Sequence, residues 1–313
     1  MTFDRTEWVW INGKMVRWAD ASLHVSAHAM HYGTGVFEGM RCYESADGPA
    51  VFRMDAHIDR LYASAAVYGM EIPYTRGEFA DAVCETIRRN GFASCYVRPI
   101  CVFGSRALGL HARACPVDVG ILAWPWGALL GDDSLQAGVR VTISPWVKFH
   151  SRMMPTTAKA CGQYLNSILA KIESHKAGYQ EAILLDDHGF VCEGSGENIF
   201  VVRDGRIVTP PQTAGILDGI NRKSAIQIAH DLGFEVVERN IGRAELYLAD
   251  EIYLTGTAAE LVPVREIDDH AIGDGRPGEV TRAVQKAFDD ALHGRTERYR
   301  EWLDPVPVRQ PVA

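Results

Sequence analysis

The sequence lacks the features that mark several classes of protein. Its seven cysteines are odd in number and include no C-x-x-C pair, which fits a reducing compartment better than a disulfide framework. Its longest apolar run, residues 117–130, is interrupted by Asp118, Gly120, Pro125 and Gly127 and is shorter than the ~20 residues that span a bilayer. The N-terminal residues lack the basic and apolar regions of a signal peptide. We therefore expect a cytoplasmic protein without a membrane segment.

A concentration of positive charge is also missing. The 32 basic and 40 acidic residues are spread along the chain and give a net charge of −8, so we expect no nucleic-acid partner. With 313 residues, of which 47% are hydrophobic and 23% charged, the composition is that of an ordinary globular protein with room for two domains. No internal repeat or low-complexity segment is present.

The first 123 residues predict an α+β domain. Alternating apolar residues on either side of Asn12-Gly13 predict a hairpin from Trp8 to Trp18. Two consecutive helices are predicted, one capped by Asp55 and one beginning with the capping box at Thr75. The helices cover residues 55–68 and 75–90, and the other strands cover 36–43, 50–53, 95–103 and 117–124. Strands before and after paired helices indicate α+β architecture, not a regular βαβ array.

The segment Trp124-Pro125-Trp126-Gly127 is the best candidate for an interdomain linker. We therefore predict a domain at 1–123, a linker at 124–134 and a second domain at 135–313. The second domain should hold a strand at 139–144, strands between 181 and 208, and a loose tail at 304–307. Its predicted helices lie near 162–175, 219–232, 243–248 and 278–293.

Lys159 is the first candidate for chemistry. Its neighbours Ala158, Ala160 and Cys161 are small and uncharged, and an apolar helix follows. A lysine in such surroundings loses solvation and part of its preference for being charged, although most lysines are solvated surface charges. A neutral amine is what attack on an aldehyde requires.

Glu193 is the second candidate. It follows the apolar residues Phe190-Val191-Cys192 and precedes a Gly-Ser-Gly turn. A solvated hairpin glutamate is one interpretation; the other is a buried carboxylate that keeps a pyridine nitrogen protonated. The turn completes neither the G-x-S-x-G nor the G-x-G-x-x-G pattern, so hydrolase and dinucleotide interpretations are weak.

Two turns have the form of phosphate cradles. The segment 215–222 is flanked by glycines and leads into a helix, whose first N–H groups favour an anion. The segment 255–259 follows an apolar strand and offers hydroxyls beside a glycine. Arg60, on the first predicted helix, has a guanidinium that suits phosphate, although taken by itself an i,i+4 pair on a solvated helix face explains it better.

Three histidines at four- and three-residue spacing suggest a metal site only at first sight. His24, His28 and His31 would share one face of a helix, as metal ligands do. No cysteine or carboxylate stands beside them at ligand spacing, and Gly33 and Gly35 favour a loop. We expect no metal.

Taken together, these segments resemble the class IV pyridoxal phosphate-dependent transaminases, and most closely the branched-chain amino acid aminotransferases. The matching segments stand in the family's order and extend from about residue 8 to 303. They are His31-Tyr32-Gly33-Thr34-Gly35-Val36-Phe37-Glu38-Gly39, Tyr96-Val97-Arg98-Pro99, Ala158-Lys159-Ala160, Glu193-Gly194-Ser195-Gly196-Glu197-Asn198, Gly215-Ile216-Leu217-Asp218-Gly219-Ile220 and Thr255-Gly256-Thr257-Ala258-Ala259-Glu260.

The resemblance implies a two-domain enzyme of fold type IV, like D-amino-acid aminotransferase. A small N-terminal α+β domain and a larger C-terminal domain would hold pyridoxal 5'-phosphate between them, in a homodimer or higher homo-oligomer. Lys159 would form the Schiff base, Glu193 would contact the pyridine nitrogen, and Tyr164 the phenolic oxygen. The remaining cofactor contacts would be Arg60, Leu217, Gly219, Ile220, Asn221, Gly256 and Thr257. The substrate pocket would be formed by Tyr32, Phe37, Gly39, Tyr96, Arg98, Leu129, Thr257 and Ala258.

The reaction that the resemblance implies is ping-pong transfer of an amino group from a branched-chain or other hydrophobic L-amino acid to 2-oxoglutarate. Lys159 would also move the α-proton. Arg98 would serve the side-chain carboxylate of glutamate, while Tyr32, Phe37 and Tyr96 would suit an apolar side chain.

Three departures from the family bear on the substrate. Leu129 replaces a usual tyrosine, Asn221 replaces a usual threonine, and residues 148–154 replace a loop that contains Asn-Pro. The loop adds positive charge near the expected entrance of the active site. Loss of the tyrosine hydroxyl predicts bulkier or more apolar substrates.

Other functions stay open on this fold. A D-amino-acid transaminase, an (R)-amine transaminase and an aminodeoxychorismate lyase share it. A non-catalytic carrier of pyridoxal phosphate belongs to a different class, and the joint presence of Lys159, Glu193 and Tyr164 argues against it.

Overall fold

The computed structural model describes residues 6–127, 130 and 133–307. Leu129, one of the predicted pocket residues, lies outside the described residues. The strands, in chain order, are β1 (Trp8–Ile11), β2 (Lys14–Arg17), β3 (Gly35–Phe37), β4 (Met40–Ser45), β5 (Gly48–Phe52), β6 (Cys95–Phe103), β7 (Val117–Trp124), β8 (Val139–Ile143), β9 (Glu181–Leu185), β10 (Val191–Gly194), β11 (Asn198–Arg203), β12 (Arg206–Thr209), β13 (Val236–Glu238), β14 (Glu251–Gly256), β15 (Glu260–Ile267), β16 (His270–Ala271) and β17 (Leu303–Pro305).

The α-helices are α1 (His28–Tyr32), α2 (Met54–Val67), α3 (Arg76–Arg89), α4 (Ser134–Ala137), α5 (Tyr164–Lys176), α6 (Ile220–Asp231), α7 (Arg243–Tyr247) and α8 (Glu279–Leu292). Short 3₁₀ segments occur at Trp18–Asp20, Ala112–Ala114, Cys161–Gln163, Gln212–Ala214 and Glu297–Trp302. The six predicted helices are confirmed with ends within two residues, whereas α1 and α4, too short for a periodic pattern, were not predicted. Across the described helices, none combines the length and the apolar composition that crossing a bilayer requires.

The chain divides into two compact units. The first contains the described parts of Met1–Trp126, Ala158–Gly162 and Ala291–Ala313, and the second contains those of Gly127–Thr157 and Gln163–Asp290. The predicted boundaries of 1–123, 124–134 and 135–313 stay a prediction. The short segment Ala158–Gly162, which carries Lys159, groups with the first unit although the residues on both sides of it belong to the second.

The first unit is built on one sheet, with strand order β17-β5-β4-β6-β7-β1-β2 and with β3 paired to β6. All of its pairings are antiparallel. Helices α2 and α3 supply Ile58, Leu61, Phe79 and Ile87 to a core that also contains Val97 of β6. Burial of these apolar faces, at roughly 25 cal/mol per Å² removed from water, stabilises the unit.

Local sequence explains several of its elements. The β1–β2 hairpin is confirmed: Asn12 and Gly13 both have positive φ, as a tight two-residue turn requires. The capping box is also confirmed. The Thr75 hydroxyl accepts a bond from the Glu78 N–H at 3.3 Å, and the Thr75 N–H donates to the Glu78 carboxylate at 2.8 Å.

Two predictions in this unit were wrong. Asp55 does not cap α2; Arg53 is the N-cap residue, and the Met54 N–H donates to the carboxylate of Asp304 at 2.8 Å. The segment 304–307 is therefore not a loose tail, since β17 pairs with β5 and Val306 is buried. Pairings this distant in sequence leave no local signal.

The predicted strand at 36–43 is interrupted. β3 ends at Phe37 and β4 begins at Met40, and the Glu38 side chain between them points into the protein, where it is completely buried. The break places a charged residue inside the unit, which an unbroken apolar strand would not do.

The second unit contains a sheet with strand order β10-β9-β8-β15-β14-β11-β12-β13, and β16 pairs with β15. The pairs β8–β9, β8–β15 and β12–β13 are parallel, and the others are antiparallel. Residues such as Val141, Ile199, Leu254 and Val264 form its core. Mixed pairing of this kind completes the α+β architecture.

Candidate active site

Lys159 is held in the first unit by backbone bonds to β3 and α2. The Phe37 N–H donates to the Lys159 carbonyl at 3.1 Å, and Ala160 forms a β-bridge with Val36. The Lys159 N–H donates to the Ser64 hydroxyl at 3.0 Å. Small neighbours are needed here because Ala160 packs into the core of the unit. The sequence pattern around Lys159 thus reflects close packing.

The Lys159 amine has a lowered pKa. Burial lowers it first, the positive charge of Arg60 lowers it further, and the Glu38 carboxylate opposes them, with a net pKa of about 8. The Nζ atom also lies 5.0 Å from the centre of the Phe37 ring. A substantial fraction of the amine is therefore neutral near pH 8, and a neutral amine is the nucleophile that an aldehyde needs.

Glu38 organises the groups around this lysine. Its Oε1 accepts from Arg60 Nε at 2.6 Å, and its Oε2 accepts from Arg60 Nη2 at 2.9 Å and pairs with His57 Nδ1 at 2.8 Å. Burial raises the pKa of the Glu38 carboxyl, but Arg60 and His57 outweigh burial and hold that pKa below its ordinary value. No role was predicted for Glu38 or His57 from the sequence. The available signal was a charged residue within a predicted apolar strand.

Three predicted pocket residues meet beside Lys159. The guanidinium of Arg98 lies over the ring of Phe37 at 4.7 Å, and its Nη2 donates to the Tyr96 hydroxyl at 3.1 Å. The Tyr96 ring stacks on Trp126 at 4.6 Å, so it has little freedom to move. The Nε atom of Arg98 is buried without a hydrogen-bond partner among the described residues. Phe37, Tyr96 and Arg98 together form a wall of two aromatic rings and one cationic donor that the described residues leave without a partner, called here the aromatic wall.

Position 39 must be glycine for Tyr96 to take its place in the aromatic wall. A Cβ atom on residue 39 would lie 1.9 Å from the Tyr96 hydroxyl oxygen, so a larger residue would displace Tyr96. Tyr32 has a different setting: its side chain is exposed, its ring packs on His28 at 4.5 Å, and its hydroxyl accepts from the Gly109 N–H at 3.2 Å.

Glu193 belongs to the second unit, where it is the next-to-last residue of strand β10 and is buried. Its Oε2 accepts two hydrogen bonds, from the Leu217 N–H at 3.0 Å and from Asn198 Nδ2 at 3.1 Å. Asn198 Nδ2 also donates to the Leu217 carbonyl at 3.0 Å. The predicted burial of Glu193 is confirmed, and Leu217 contributes its backbone to the carboxylate.

Lys148 is a partner of Glu193 that sequence analysis missed. Its Nζ lies 2.6 Å from Glu193 Oε1, and both side chains are less than a tenth exposed. Burial lowers the pKa of Lys148, but the charge and hydrogen bond of Glu193, together with Tyr164, outweigh burial and raise it. The loop was expected to add positive charge at an entrance; for Lys148 this expectation was wrong, because the charge is buried and neutralised by Glu193.

The start of α6 has the features of an anion site. Gly219 is its N-cap residue and offers no side chain to the free N–H groups of the first turn. A Cβ at position 219 would lie 2.0 Å from Asn198 Oδ1, so the close approach of these chains requires glycine. The Asn221 amide donates to the Gly256 carbonyl at 3.2 Å, while its Oδ1 is buried without a partner among the described residues. Ile220 and Asn221 thus lie where the helix dipole is positive.

The remaining predicted residues lie in a turn and at a helix start. Thr257 and Ala258 are partly buried in the turn between β14 and β15. Tyr164 begins α5 and lies close enough to Lys148 to raise its pKa. The substitution of Leu129 for tyrosine falls outside the described residues, so its predicted effect stays a prediction.

Two buried carboxyl groups support the turn that follows Glu193. Glu181 accepts from the Ser195 N–H at 3.3 Å and pairs with Lys171 at 2.5 Å. Glu197 accepts from the Gly196 N–H at 3.1 Å. Burial first, and then the negative charge of Glu181, raise the pKa of Glu197 to about 8. The Glu197 carboxyl is therefore protonated in the folded protein at neutral pH.

This raised pKa predicts that the contribution of Glu197 to stability falls with increasing pH. An unfolded glutamate has a pKa of about 4.5, so the folded protein binds the extra proton at Glu197 between about pH 4.5 and about 8. The contribution of Glu197 to the free energy of unfolding should decrease across that range and stay constant above it. Glu197→Gln removes this ionisation, so urea denaturation at about pH 5 and about pH 9 should show a smaller decrease in the variant.

The matched control is Glu173→Gln, at a partly exposed glutamate that pairs with Lys176 on α5. It should leave the pH dependence of the wild-type protein unchanged. Equal decreases in Glu197→Gln and wild type would show that Glu197 does not hold the proton.

The histidines that suggested a metal have other partners. His28 Nδ1 and Nε2 lie 2.7 Å from the Thr34 hydroxyl and the Gly109 carbonyl, respectively. His31 Nε2 lies 3.0 Å from a backbone carbonyl, and His24, outside α1, contacts Ser26. In the described ranges, the one cluster with metal-ligand types is the partly exposed turn Asp186-Asp187-His188.

Comparison with known proteins agrees with this geometry. The model of the amino-transferase class IV family matches residues 35–267. The branched-chain-amino-acid aminotransferase of Pseudomonas aeruginosa is 46% identical over 299 residues, 96% of this chain and 97% of that protein. The crystal structure of the branched-chain amino acid aminotransferase of Escherichia coli has a TM-score of 0.95 at 45% identity and covers 96% of this chain and 100% of that one.

A further structure adds a ligand. The T.th. branched-chain amino acid aminotransferase complexed with N-(5'-phosphopyridoxyl)-L-glutamate has a TM-score of 0.93 at 45% identity, and covers 97% of this chain and 99% of that one. The family model spans more than half of the chain, and the relatives match it over nearly their full lengths. This chain therefore belongs to the class IV aminotransferases.

Proposed function

We propose that the protein is a pyridoxal phosphate-dependent transaminase that moves an amino group between hydrophobic L-amino acids, in particular the branched-chain ones, and 2-oxoglutarate. The observation that carries the proposal is Lys159, an amine with a pKa of about 8 set among Glu38, Arg60 and an aromatic wall. The names of the relatives support the substrate class. The adduct in the T.th. structure supports both the cofactor and glutamate as a partner.

The residues present fit pyridoxal phosphate in three respects. Lys159 supplies an amine of lowered pKa for the aldehyde. Glu193 supplies a buried carboxylate with two N–H donors and an ammonium as neighbours, suited to a protonated ring nitrogen. The uncapped start of α6 supplies backbone N–H groups for a phosphate.

Bound pyridoxal phosphate supplies an electron-accepting ring through which an amino group can be exchanged. Lys159 performs two tasks in this chemistry. Its Nζ would hold the aldehyde, and as a free amine it would take a proton from the substrate's α-carbon. A pKa of about 8 suits both tasks, because an effective base has a pKa near the working pH.

Each unit offers one group suited to phosphate, Arg60 in the first unit and the start of α6 in the second. Arg60 is oriented by two hydrogen bonds to Glu38, so the direction of its guanidinium is settled before any anion binds. Ile220 and Asn221 would contribute backbone N–H groups. Thr257, which belongs to the later family motif at 255–260, would be a further contact. The Asn221 side chain is less suited to an anion, because its amide N–H donates to Gly256 and its orphan atom is an acceptor.

Substrate selection is assigned to the wall formed by Phe37, Tyr96 and Arg98. Apolar side chains gain from contact with the aromatic rings, whereas the side-chain carboxylate of glutamate requires a positive partner. Arg98 has an unsatisfied Nε and lies over the Phe37 ring, so it offers both an apolar face and a donor. One pocket can thus accept leucine in one half of the reaction and glutamate in the other.

A spectroscopic half-reaction tests the proposal. Holoenzyme mixed with one amino donor at a time should convert from the absorption of the aldehyde form to that of the amine form. We expect L-leucine, L-isoleucine, L-valine and L-glutamate to convert it at least about tenfold faster than D-amino acids or chiral amines (~1.4 kcal/mol of transition-state discrimination). Preference for D-amino acids or (R)-amines would replace the proposal by another activity of the family, and no conversion with any donor would favour a carrier.

Arg98→Leu sharpens the same assay. Removing the guanidinium should slow conversion by L-glutamate about 10- to 100-fold, since a charged hydrogen bond contributes ~1.5–3 kcal/mol. Conversion by L-leucine should change much less. Arg41→Leu, at another arginine of the same sheet that lies over a tyrosine ring, is the matched control. Equal losses for glutamate and leucine in Arg98→Leu would show that Arg98 does not select the carboxylate.

A homodimer is part of the proposal. Helix α5 exposes four apolar side chains spaced as one helical face, Leu165, Ile168, Leu169 and Ile172. Such a continuous apolar face on a solvated helix favours association with a second copy. Sedimentation should show Ile168→Glu shifted toward monomer and His175→Glu, on the same helix, unshifted. A cytoplasmic location is also proposed, because all seven cysteines are free thiols.

A further inference from the structure

The ion pair between Lys148 and Glu193 is the least expected feature of the second unit. We propose that Lys148 is a positioning residue, which fixes the orientation of the Glu193 carboxylate and leaves it a single open acceptor site for the protonated ring nitrogen of the cofactor. This inference rests on the proposed function. It assigns a role to the loop in which the chain departs from its family's usual sequence.

The Glu193 carboxylate has one acceptor site that its neighbours do not fill. A carboxylate offers about four lone-pair sites, two on each oxygen. In Glu193, Oε2 accepts from Leu217 and Asn198, and Oε1 pairs with Lys148. One site on Oε1 remains, and a protonated pyridine nitrogen has one N–H to donate. The donors already present therefore orient the carboxylate and match it to one further partner.

The charges of Lys148 and Glu193 hold each other in place. The ammonium lies 2.6 Å from Glu193 Oε1, and because both side chains are buried, their attraction is weakly screened. Loss of the ammonium would leave Oε1 without its ionic partner, so the carboxylate would no longer be held in the orientation that presents its open acceptor site.

The Lys148 ammonium has few other polar neighbours. Within the described part of the chain, its salt-bridge partner is Glu193, the Phe149 ring lies at 4.7 Å, and Tyr164 and Cys192 are close enough to raise its pKa. The carboxylate that pairs with the ammonium there is that of Glu193. A change at Lys148 should therefore act on the cofactor mainly through Glu193, with Tyr164 as the second group affected.

The test measures the ring nitrogen directly. Apo-protein is reconstituted with pyridoxal phosphate carrying ¹⁵N in the ring, and the nitrogen's chemical shift is followed against pH in wild type and variants. In Lys148→Met we expect the ring nitrogen to lose its proton at a pH lower by at least about one unit, a tenfold change in its protonation equilibrium. In Lys148→Arg, which restores the positive charge, we expect wild-type behaviour.

Two further variants separate positioning from mere stability. Lys286→Met removes an exposed lysine that pairs with Asp290, and should change nothing. If Lys148→Met folds poorly, the double variant Lys148→Met with Glu193→Gln removes both charges, and its apo-form should regain thermal stability. A double variant no more stable than Lys148→Met would show that the two residues are not coupled.

The outcomes are distinct. Wild type that fails to bind the cofactor, or that carries no covalent adduct at Lys159, overturns the proposed function. Wild type that binds it, with a ring-nitrogen titration unchanged in Lys148→Met, overturns the role of Lys148 and leaves the proposed function standing. A lowered titration in both Lys148→Met and Lys148→Arg would also overturn it, because the positive charge would then not be the cause.

Discussion

Lys159→Ala should abolish transamination, lowering the rate of the half-reaction with L-leucine by at least about 10⁴-fold, since general base catalysis alone contributes 10²–10⁴-fold. The substitution removes the amine that binds the aldehyde and the base that takes the α-proton. Its neighbours would stay, because the backbone bonds to Phe37 and Ser64 do not involve the side chain. The measurements are single-turnover absorption and borohydride trapping followed by peptide mass mapping.

The trapping experiment also has an internal control. Wild type should carry the reduced cofactor on the peptide that contains Lys159, and Lys159→Ala should carry none. Lys14→Ala, at an exposed lysine of β2, should match wild type in rate and in labelling. A rate within tenfold of wild type in Lys159→Ala would mean that another group performs the chemistry.

Glu38→Ala should cause the largest loss of stability among these substitutions, about 3–5 kcal/mol, the cost of breaking a buried ion pair by removing one partner. The carboxylate is completely buried and holds both Arg60 and His57. Its removal leaves the Arg60 charge without its main counter-ion in a site poor in water. Urea denaturation measures the loss, and fluorescence titration of the apo-protein should show weaker cofactor binding.

The contribution of Glu38 also has a defined pH dependence. The folded-state pKa of Glu38 is below its ordinary value, so the stabilisation is present above that ordinary value and disappears as the pH falls through the folded-state pKa. Glu38→Gln, which keeps the shape but not the charge, should fall between wild type and Glu38→Ala. Glu7→Ala, which removes the exposed partner of Arg17, should cost less than about 1 kcal/mol. Similar losses in Glu38→Ala and Glu7→Ala would refute the buried-pair argument.

Much of the fold could be predicted from local sequence. Strands β6 and β7 have the predicted bounds, and the hairpin at Asn12-Gly13 and the capping box at Thr75 have the predicted geometry. Each depends on residues within a few positions of one another, so backbone propensity and turn chemistry suffice. The cap of α2 could not be predicted, because its acceptor, Asp304, lies 250 positions from Met54.

The candidate site shows the same difference between local patterns and contacts that are distant in sequence. Sequence alone determined that Lys159 and Glu193 are the residues of interest, since an isolated lysine among small residues and an acid before a Gly-Ser-Gly turn are local patterns. Only the tertiary structure decided the pKa of Lys159 and the partner of Glu193. Lys159 has its lowered pKa because it is buried and because Arg60 reaches it from α2, and Glu193 is paired because Lys148 reaches it from a distant loop. A pKa depends on charges within a few ångströms in space, and distance along the chain does not report those charges.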